Sequence, residues 1–261
     1  MQLAVGARSD VGMVRSGNED NFFAESDEHR GVFVVADGMG GHAAGEVASE
    51  MAVQIVSRQL LPIKHLREDG VDERMAQSLR DANHAIYERM LAEVDKQGMG
   101  TTASVLVLSE NQFLIGQVGD SRVYLLRDGA LKQVTKDHSY VQEQVDAGLL
   151  TPEEAVFSSN KNLVTRAVGV EDTVLLELHE HEVQPGDLFL MCSDGLSDML
   201  DDAALAQLLL RNASLSETTL SLIDAANDMG GKDNIAVVLV RAESRTKPRA
   251  WWPFSRGGGR R

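Results

Sequence analysis

Residues 103–118 read ASVLVLSENQFLIGQV, in which a few polar residues separate two apolar runs. Each run is rich in Val, Ile, Leu or Phe and has the length of a β-strand. Ser109, Glu110 and Asn111 leave no room for a crossover helix, so the two strands must be antiparallel neighbours. The region therefore predicts a β-hairpin near the middle of the chain.

Similar strand-like runs and helical patterns lie on both sides of this hairpin. The other strand-like runs are GVFVVA at 31–36, RVYLL at 122–126, DLFLMC at 187–192 and IAVVLVR at 235–241. Apolar residues at helical spacing predict helices at 43–60 and 71–95 before the hairpin, and at 201–211 and 214–229 after it. This order predicts an α+β domain in which pairs of helices cover antiparallel sheets.

Two segments depart from this pattern. Residues 138–165 are polar and contain few large apolar side chains, which predicts a surface excursion. Beyond residue 243 the chain becomes basic, with six Lys or Arg and no acidic residue from Arg245 to Arg261. Its Pro, Gly and Arg content predicts disorder. It is either an ordinary solvated C-terminus or an anchor for an anionic membrane or an acidic partner, with Trp251, Trp252 and Phe254 as a wedge.

Composition excludes several classes of protein. The 40 acidic and 25 basic side chains give a net charge of −15, which argues against nucleic acid as a partner. Cys192 is the one cysteine, so the chain can form no internal disulfide and a reducing compartment is expected. No apolar run reaches the roughly 18 residues of a membrane span, and the N-terminus does not resemble a signal peptide. We therefore expect a cytoplasmic protein, with a monomer as the default.

Acidic side chains recur at the ends of the strand-like runs, where side chains are held firmly and still face solvent. The five acidic patches are RSGNED at 15–20, ADGMGGH at 36–42, GDSR at 119–122, SDGLSD at 193–198 and GKDNIAVV at 231–238. One Asp-Gly at a strand end is usually a turn, and GDSR alone fits a hairpin whose Arg pairs with a neighbouring acid. Five patches together predict a site for Mn²⁺ or Mg²⁺, which prefer oxygen ligands.

The residues around these aspartates suit phosphoester hydrolysis. Asp37 and Asp194 are each followed by glycine, which allows close backbone approach or positive φ and exposes a carbonyl as a further ligand. Two cations ~3.5–4 Å apart can activate a water molecule for attack on phosphorus. Arg15 has a planar guanidinium that can bind two phosphate oxygens. The pattern therefore predicts metal-assisted cleavage of a phosphate ester.

The ordered set of motifs resembles the PPM-type phosphatases, the protein phosphatase 2C family, in its bacterial form. The matching motifs are R-x-x-N-E-D at 15–20, D-G-M-G-G at 37–41, G-T-T at 100–102, G-D-S-R at 119–122, S-D-G-L at 193–196 and D-N-I at 233–235. The resemblance spans about residues 3–242. It implies one catalytic domain over residues 1–243, with two packed antiparallel β-sheets flanked by pairs of α-helices and a flap at 138–165 beside the active site.

The resemblance also implies the metal ligands. Asp37 would bridge two metals, and the carbonyl of Gly38 would bind one of them. Asp194 and Asp233 would complete the other metal site. Asp120, together with Asp194, matches a weaker third metal position in the family.

The remaining implied roles concern water and phosphate. Glu19 and Asp20 would act mainly through metal-bound waters, and Arg15 would match the phosphate-binding arginine of the family. Asn234 follows the metal-binding Asp233 and is expected to steady it. Many eukaryotic members carry a histidine where this chain has Met39, as is common in bacterial members, so the proton for the leaving group must come from elsewhere. A metal-bound water and His42 are the two candidates, and His42 fits a structural role or a helix start better.

The expected activity is serine/threonine phosphoprotein phosphatase, acting on phosphorylated proteins and opposing a bacterial Ser/Thr kinase. Two alternatives keep the fold: a non-catalytic pseudophosphatase, and a partner-switch phosphatase dedicated to one regulatory protein. A dinucleotide site at the glycines of 38–43 is excluded because residues 57–61 lack the acidic residue that binds ribose. A cysteine phosphatase is excluded because Asp198, not arginine, stands six residues after Cys192.

Overall fold

Two antiparallel β-sheets form the centre of the molecule, whose computed structural model describes residues 1–28, 30–40 and 43–244. The strands are β1 (Gln2–Asp10), β2 (Asp20–Ser26), β3 (Arg30–Met39), β4 (Gly100–Thr101), β5 (Ala103–Ser109), β6 (Gln112–Val118), β7 (Arg122–Arg127), β8 (Ala130–Gln133), β9 (Glu177–Glu182), β10 (Leu188–Cys192) and β11 (Ile235–Glu243). The helices are α1 (Ala43–Leu60), α2 (Val71–Ala92), α3 (Tyr140–Asp146), α4 (Pro152–Val156), α5 (Asp194–Ser197), α6 (Asp202–Leu209) and α7 (Leu215–Asp228). The predicted α+β class is confirmed.

The hairpin predicted at 103–118 lies inside one of the two sheets. It forms β5 and β6, which pair from Ala103 opposite Val118 to Ser109 opposite Gln112. The sheet has the order β2-β3-β5-β6-β9, with the short β4 beside β3. The other sheet has the order β1-β11-β10-β7-β8. Every strand pair is antiparallel, as the short connections predicted.

Alternating side chains of β3 show how the layers are built. Val32 and Val34 pack into the core beneath α1 and α2, whereas Phe33 and Val35 pack into the core between the two sheets. This is the period-2 pattern of a strand buried on both faces. Across the gap, Phe113 of one sheet and Phe189 of the other meet edge to face with ring centres 5.0 Å apart.

The predicted helices cover the outer faces of both sheets. α1 packs on β3 and on α2, and α2 also packs on β6, while α7 packs on β1 and β11 in the other sheet. A third core lies beneath α5, α6 and α7. The second predicted helix was too long, because it ends at Ala92 and a 3₁₀ turn follows at Val94–Lys96.

Of the strands that the sequence analysis did not predict, β1, β2 and β9 are the longest. β9 reads ELHEHE and lies at the edge of its sheet, where a charged strand needs no apolar run. β2 carries its apolar residues at its centre, between polar ends. β1 is interrupted by Gly6, where a Cβ atom would stand 2.8 Å from the backbone of Leu215. The glycine that weakens the strand pattern is therefore what lets α7 pack closely on this strand.

The segment 138–165 contains α3 and α4, and neither helix has a buried residue. Backbone pairing of Ser139 with Val164 holds its two ends together. His42 and the predicted tail from residue 245 lie outside the described residues. No helix in the described ranges is both long and apolar enough to cross a membrane.

Candidate metal centre

A cavity of about 340 Å³ opens where strands of both sheets end. Among the residues that line it are seven predicted from the sequence: Arg15, Glu19, Asp37, Gly38, Asp120, Asp194 and Asp233. The eighth, Asp20, is 5% exposed and its pKa is affected by the charges of Asp194 and Asp233, so it belongs to the same cluster. All of the predicted site residues are therefore brought together.

Five different elements or turns supply the five aspartates. Asp20 opens β2 directly opposite Asp37 in β3, so strand pairing alone brings these two carboxylates together. Asp120 lies in the turn between β6 and β7, and Asp194 is the first residue of α5 after β10. Asp233 stands two residues before β11. The cluster exists only when both sheets have assembled.

Gly38 and Gly195 are required by close packing. A Cβ atom on Gly38 would stand 2.2 Å from the carbonyl oxygen of Gly45, and one on Gly195 would stand 2.0 Å from that of Asn234. Neither glycine lies at positive φ. Of the two reasons that the sequence offered for these glycines, close backbone approach is the one the structure shows.

The aspartates strongly disfavour one another's negative charge. Burial, followed by the charges of Asp20, Asp194 and Asp120, raises the pKa of Asp37 well above its usual range. Burial likewise raises the pKa of Asp20 to about 8 despite a hydrogen bond from Ser193, and it raises the pKa of Asp120 to about 8. Such a group of carboxylates can all be ionised together only if positive charge is added.

Two buried oxygens show where that charge fits. Oδ1 of Asp20 and Oδ1 of Asp194 are buried without a hydrogen-bond partner in the described structure. No three His, Cys, Asp or Glu side chains of the described residues already converge as a finished ligand set. The chemistry of the donors is nevertheless all oxygen, and oxygen is what Mn²⁺ and Mg²⁺ bind. The residues therefore fit a hard divalent cation.

Comparison with known proteins agrees with this fold and this site. Residues 14–227 match the family model for protein phosphatase 2C. The chain belongs to the protein phosphatase 2C family. A relative from Listeria monocytogenes, serine/threonine phosphatase stp, is 38% identical over 244 residues, which cover 93% of this chain and 97% of that protein.

Solved structures of the family show the same architecture. The crystal structure of the serine/threonine phosphatase PstP/Ppp from Mycobacterium tuberculosis superposes with a TM-score of 0.86 at 38% identity, covering 94% of this chain and all of that one. The catalytic domain of PstP in complex with two manganese ions gives a TM-score of 0.82 at 37% identity, covering 93% and 99%. The predicted family and its two-sheet fold are confirmed.

Sequence analysis missed the neutral residues that hold the phosphatase 2C carboxylates in place. Thr102 accepts a hydrogen bond from the backbone N–H of Asp37 at 2.9 Å, and its hydroxyl meets that of Ser121 at 2.7 Å. Ser193 donates to Oδ2 of Asp20 at 2.6 Å and accepts from the N–H of Ala236. Both Thr102 and Ser193 lie inside the quoted motifs. Ser193 directly precedes Asp194, which was the available signal, whereas no acidic residue stands near Thr102 in the chain.

Asn234 steadies the site differently from the expectation. Its backbone N–H donates to Oδ1 of Asp233 at 2.8 Å, as the expected steadying role requires. Its side chain, however, accepts from the N–H of Glu19 at 2.9 Å and donates to the carbonyls of Val11 and Gly17. The amide thus fixes the loop between β1 and β2, which carries Arg15.

The two arginines of the phosphatase 2C motifs have different surroundings. Arg15 is half exposed, lines the cavity and places Nη2 2.6 Å from Oδ2 of Asp233. Arg122 instead forms an ion pair with Asp137 at 2.7 Å and donates to the hydroxyl of Tyr124. The structural alternative considered for the GDSR arginine therefore holds for Arg122, and Arg15 is the cation that faces the cavity.

Proposed function

We propose that this chain is a metal-dependent protein serine/threonine phosphatase that uses Mn²⁺ or Mg²⁺. The observation that carries the proposal is the gathering of five buried or half-buried aspartates around one open cavity, with two orphaned carboxylate oxygens. The named functions of its relatives and the two manganese ions of the PstP complex support the same activity. When bound, such a pair of cations supplies an activated water and neutralises phosphate charge.

The ligand roles that we assign are those that the resemblance to the phosphatase 2C family implies. Asp37 is surrounded by the charges of the other aspartates and is assigned as the bridge between two cations, with the carbonyl of Gly38 beside it. Asp194 and Asp233 complete the pair, and Asp120 belongs to a weaker third position. Glu19 and Asp20 act through water.

Two further cavity residues bear on the phosphate itself. Arg15 has the exposure and the planar donor group to bind two phosphate oxygens, which requires its guanidinium to turn from Asp233 toward the substrate. Met39 also lines the cavity, and a thioether has no proton to donate. The leaving alcohol therefore takes its proton from a group other than the side chain at position 39.

The biological setting belongs to the same proposal. The substrates are proteins phosphorylated on serine or threonine, and the enzyme opposes a Ser/Thr kinase in the cytoplasm of a bacterium, as a monomer with its catalytic domain over residues 1–243. Segment 138–165 acts as a flap, because Asn162 and Val164 form one wall of the cavity. A role for the tail beyond residue 243 in contacting a membrane or an acidic partner stays a prediction.

The test is hydrolysis of p-nitrophenyl phosphate and of a phosphothreonine peptide, with Mn²⁺ and with EDTA. Wild type should turn over both in Mn²⁺ only. Asp194→Ala should lose roughly 100-fold or more in turnover, since even residues outside the ligand set can contribute that much. Asp224→Ala, at an exposed position of α7, is the matched control and should act like wild type.

The outcome also separates the alternatives that share this fold. Absence of turnover in folded, Mn²⁺-saturated wild type would contradict the proposal and favour a partner-binding pseudophosphatase. Turnover of one phosphorylated regulatory protein, with none of the general phosphopeptide, would instead favour the partner-switch phosphatase.

A further inference from the structure

His138 is a buried histidine whose backbone and ring both contact the turn that carries Asp120. The residue is 4% exposed. Its backbone N–H donates to the carbonyl of Gly119 at 3.0 Å, and its Nδ1 accepts from the N–H of Gly119 at 3.1 Å. His138 therefore hydrogen-bonds to both the N–H and the carbonyl of Gly119, the residue directly before Asp120.

These contacts determine the protonation of the ring. Because Nδ1 accepts a hydrogen bond from a backbone N–H, the proton of the neutral ring must be on Nε2. Nε2 lies 3.3 Å from Oε1 of Glu177, which is the available acceptor. Arg166 also reaches this oxygen at 3.3 Å, and burial and the charge of Arg166 lower the pKa of His138. The neutral form with its proton on Nε2 satisfies Gly119 and Glu177. Nη1 of Arg166, which lies 3.4 Å from Nε2, then donates to Oε1 of Glu177 and not to the ring.

The turn at Gly119 lies between two of the assigned ligands. Gly119 has φ +99, and a Cβ atom there would stand 2.6 Å from Thr102. Thr102 in turn accepts from the N–H of Asp37 at 2.9 Å. The tight contact between Gly119 and Thr102 therefore links the position of Asp120 to that of Asp37. Movement of Gly119 would change the separation of the two carboxylates.

The backbone of the same histidine is bonded to a second part of the chain that lines the cavity. Its carbonyl accepts from the N–H of Thr165 at 2.8 Å, and the next residue, Ser139, pairs with Val164. Val164 lines the cavity together with Asn162. His138 therefore joins the turn that carries Asp120 to the part of the chain that contributes Asn162 and Val164 to the cavity lining.

We propose that His138 is a positioning residue for the metal centre. Its neutral imidazole, oriented by Glu177, fixes the position of Asp120 relative to Asn162 and Val164. The proposal rests on the proposed phosphatase function for its effect on turnover. Its effect on metal binding and on the Gly119 turn is independent of that function.

Two substitutions distinguish the contribution of the Nδ1 contact from that of the Nε2 contact. His138→Asn places an amide oxygen near the Nδ1 position and keeps an acceptor for the N–H of Gly119. His138→Gln reaches the Nε2 position toward Glu177 and leaves that N–H without its acceptor. We would measure Mn²⁺ binding by calorimetry, the amide resonances of Gly119 and Asp120 by NMR, and kcat and KM for a phosphothreonine peptide.

For His138→Gln we expect the Mn²⁺ affinity of the weakest site and the kcat to fall roughly tenfold or more, as is found for residues that orient metal ligands. The KM should stay within about twofold of the wild-type value. His138→Asn should stay within about threefold of wild type in both quantities. Equal impairment of the two variants, or wild-type Mn²⁺ binding by His138→Gln, would overturn the proposal and leave only a packing role.

A measurement on wild type keeps the proposal testable if a variant does not fold. The ¹⁵N resonances of the His138 ring should show the Nε2–H form, and an Nδ1–H form would overturn the proposal. If wild type hydrolyses nothing, the proposed function fails, while the NMR and calorimetry results still decide the role of His138.

Discussion

Asp20 and Asp194 each keep one carboxylate oxygen buried without a partner, although most buried polar atoms in proteins have one. For Asp20 the second oxygen accepts a hydrogen bond from Ser193, which fixes the direction of the carboxylate. A half-satisfied buried carboxylate destabilises the fold unless something positive binds the free oxygen. The arrangement therefore favours cation binding at the expense of the stability of the metal-free protein.

Gly38 lies in close contact with neighbouring backbone, so any larger residue there should disturb the site. Gly38→Ala places a Cβ atom 2.2 Å from the carbonyl oxygen of Gly45 and 2.7 Å from that of Glu19. Backbone must move to relieve this overlap, at about 1–3 kcal/mol, and Mn²⁺ binding should weaken with it. Chemical denaturation and calorimetry measure the two effects. Gly17→Ala has no neighbour within 4 Å and should change neither; equal behaviour of the two variants would contradict the account.

Single residues were predictable where their chemistry is visible in the sequence. Asp37, Asp120 and Asp194 stand beside a glycine at the end of an apolar run, and all three line one cavity. Ser193 and His138 were not assigned, because their partners are distant in the chain: Ser193 and Asp20 are 173 residues apart. A neutral hydroxyl or a buried ring gives no pattern by itself, and only the assembled sheets reveal what it holds.

At the scale of elements, apolar periodicity decided which predictions succeeded. α1 has the bounds expected from its spacing, and β5 and β6 form the expected hairpin. β9 consists mainly of Glu and His at a sheet edge, so it has no apolar run from which a strand could be predicted. Segment 138–165 was recognised by its polarity, but its two short helices have no apolar face that could predict them.

The attachment of this segment to the domain is testable. Lys161 lies 2.6 Å from Asp198, which follows α5, and the pair is about one-third exposed. Exposed ion pairs contribute about 0.2–1 kcal/mol, so Lys161→Met should raise the opening of the segment at most about fivefold. Chymotrypsin cleavage after the exposed Phe157 measures this opening. Lys132→Met is the control. If Lys161→Met is cleaved no faster than this control, the ion pair does not attach the segment to the domain.

At the scale of the whole molecule, the fold is a four-layer structure in which the metal cluster lies where both sheets end. The cost of this placement is the burial of several carboxylates and, after it, the repulsion among them. The pKa is raised to about 8 for Asp20 and Asp120 and to about 6 for Asp194, against about 3.9 in an unfolded chain. Between those values the folded protein binds more protons than the unfolded chain.

The metal-free protein should therefore lose stability as the pH rises from 6 to 8. Thermal unfolding in EDTA should show a falling Tm across this range, and saturating Mn²⁺ should reduce the slope. Asp20→Asn removes one of the groups and keeps an acceptor for Ser193, so it should flatten the metal-free profile. A metal-free Tm that rises from pH 6 to pH 8 would contradict the sign of this effect.

A calorimetric titration with Mn²⁺ measures how many divalent cations the acidic cavity binds and whether both depend on Asp37. Wild type should bind two ions tightly, with a weaker third at higher concentration. Asp37→Asn should weaken both tight sites together, while Asp224→Asn on the exposed face of α7 should bind like wild type. Two unchanged sites in folded Asp37→Asn would contradict the account.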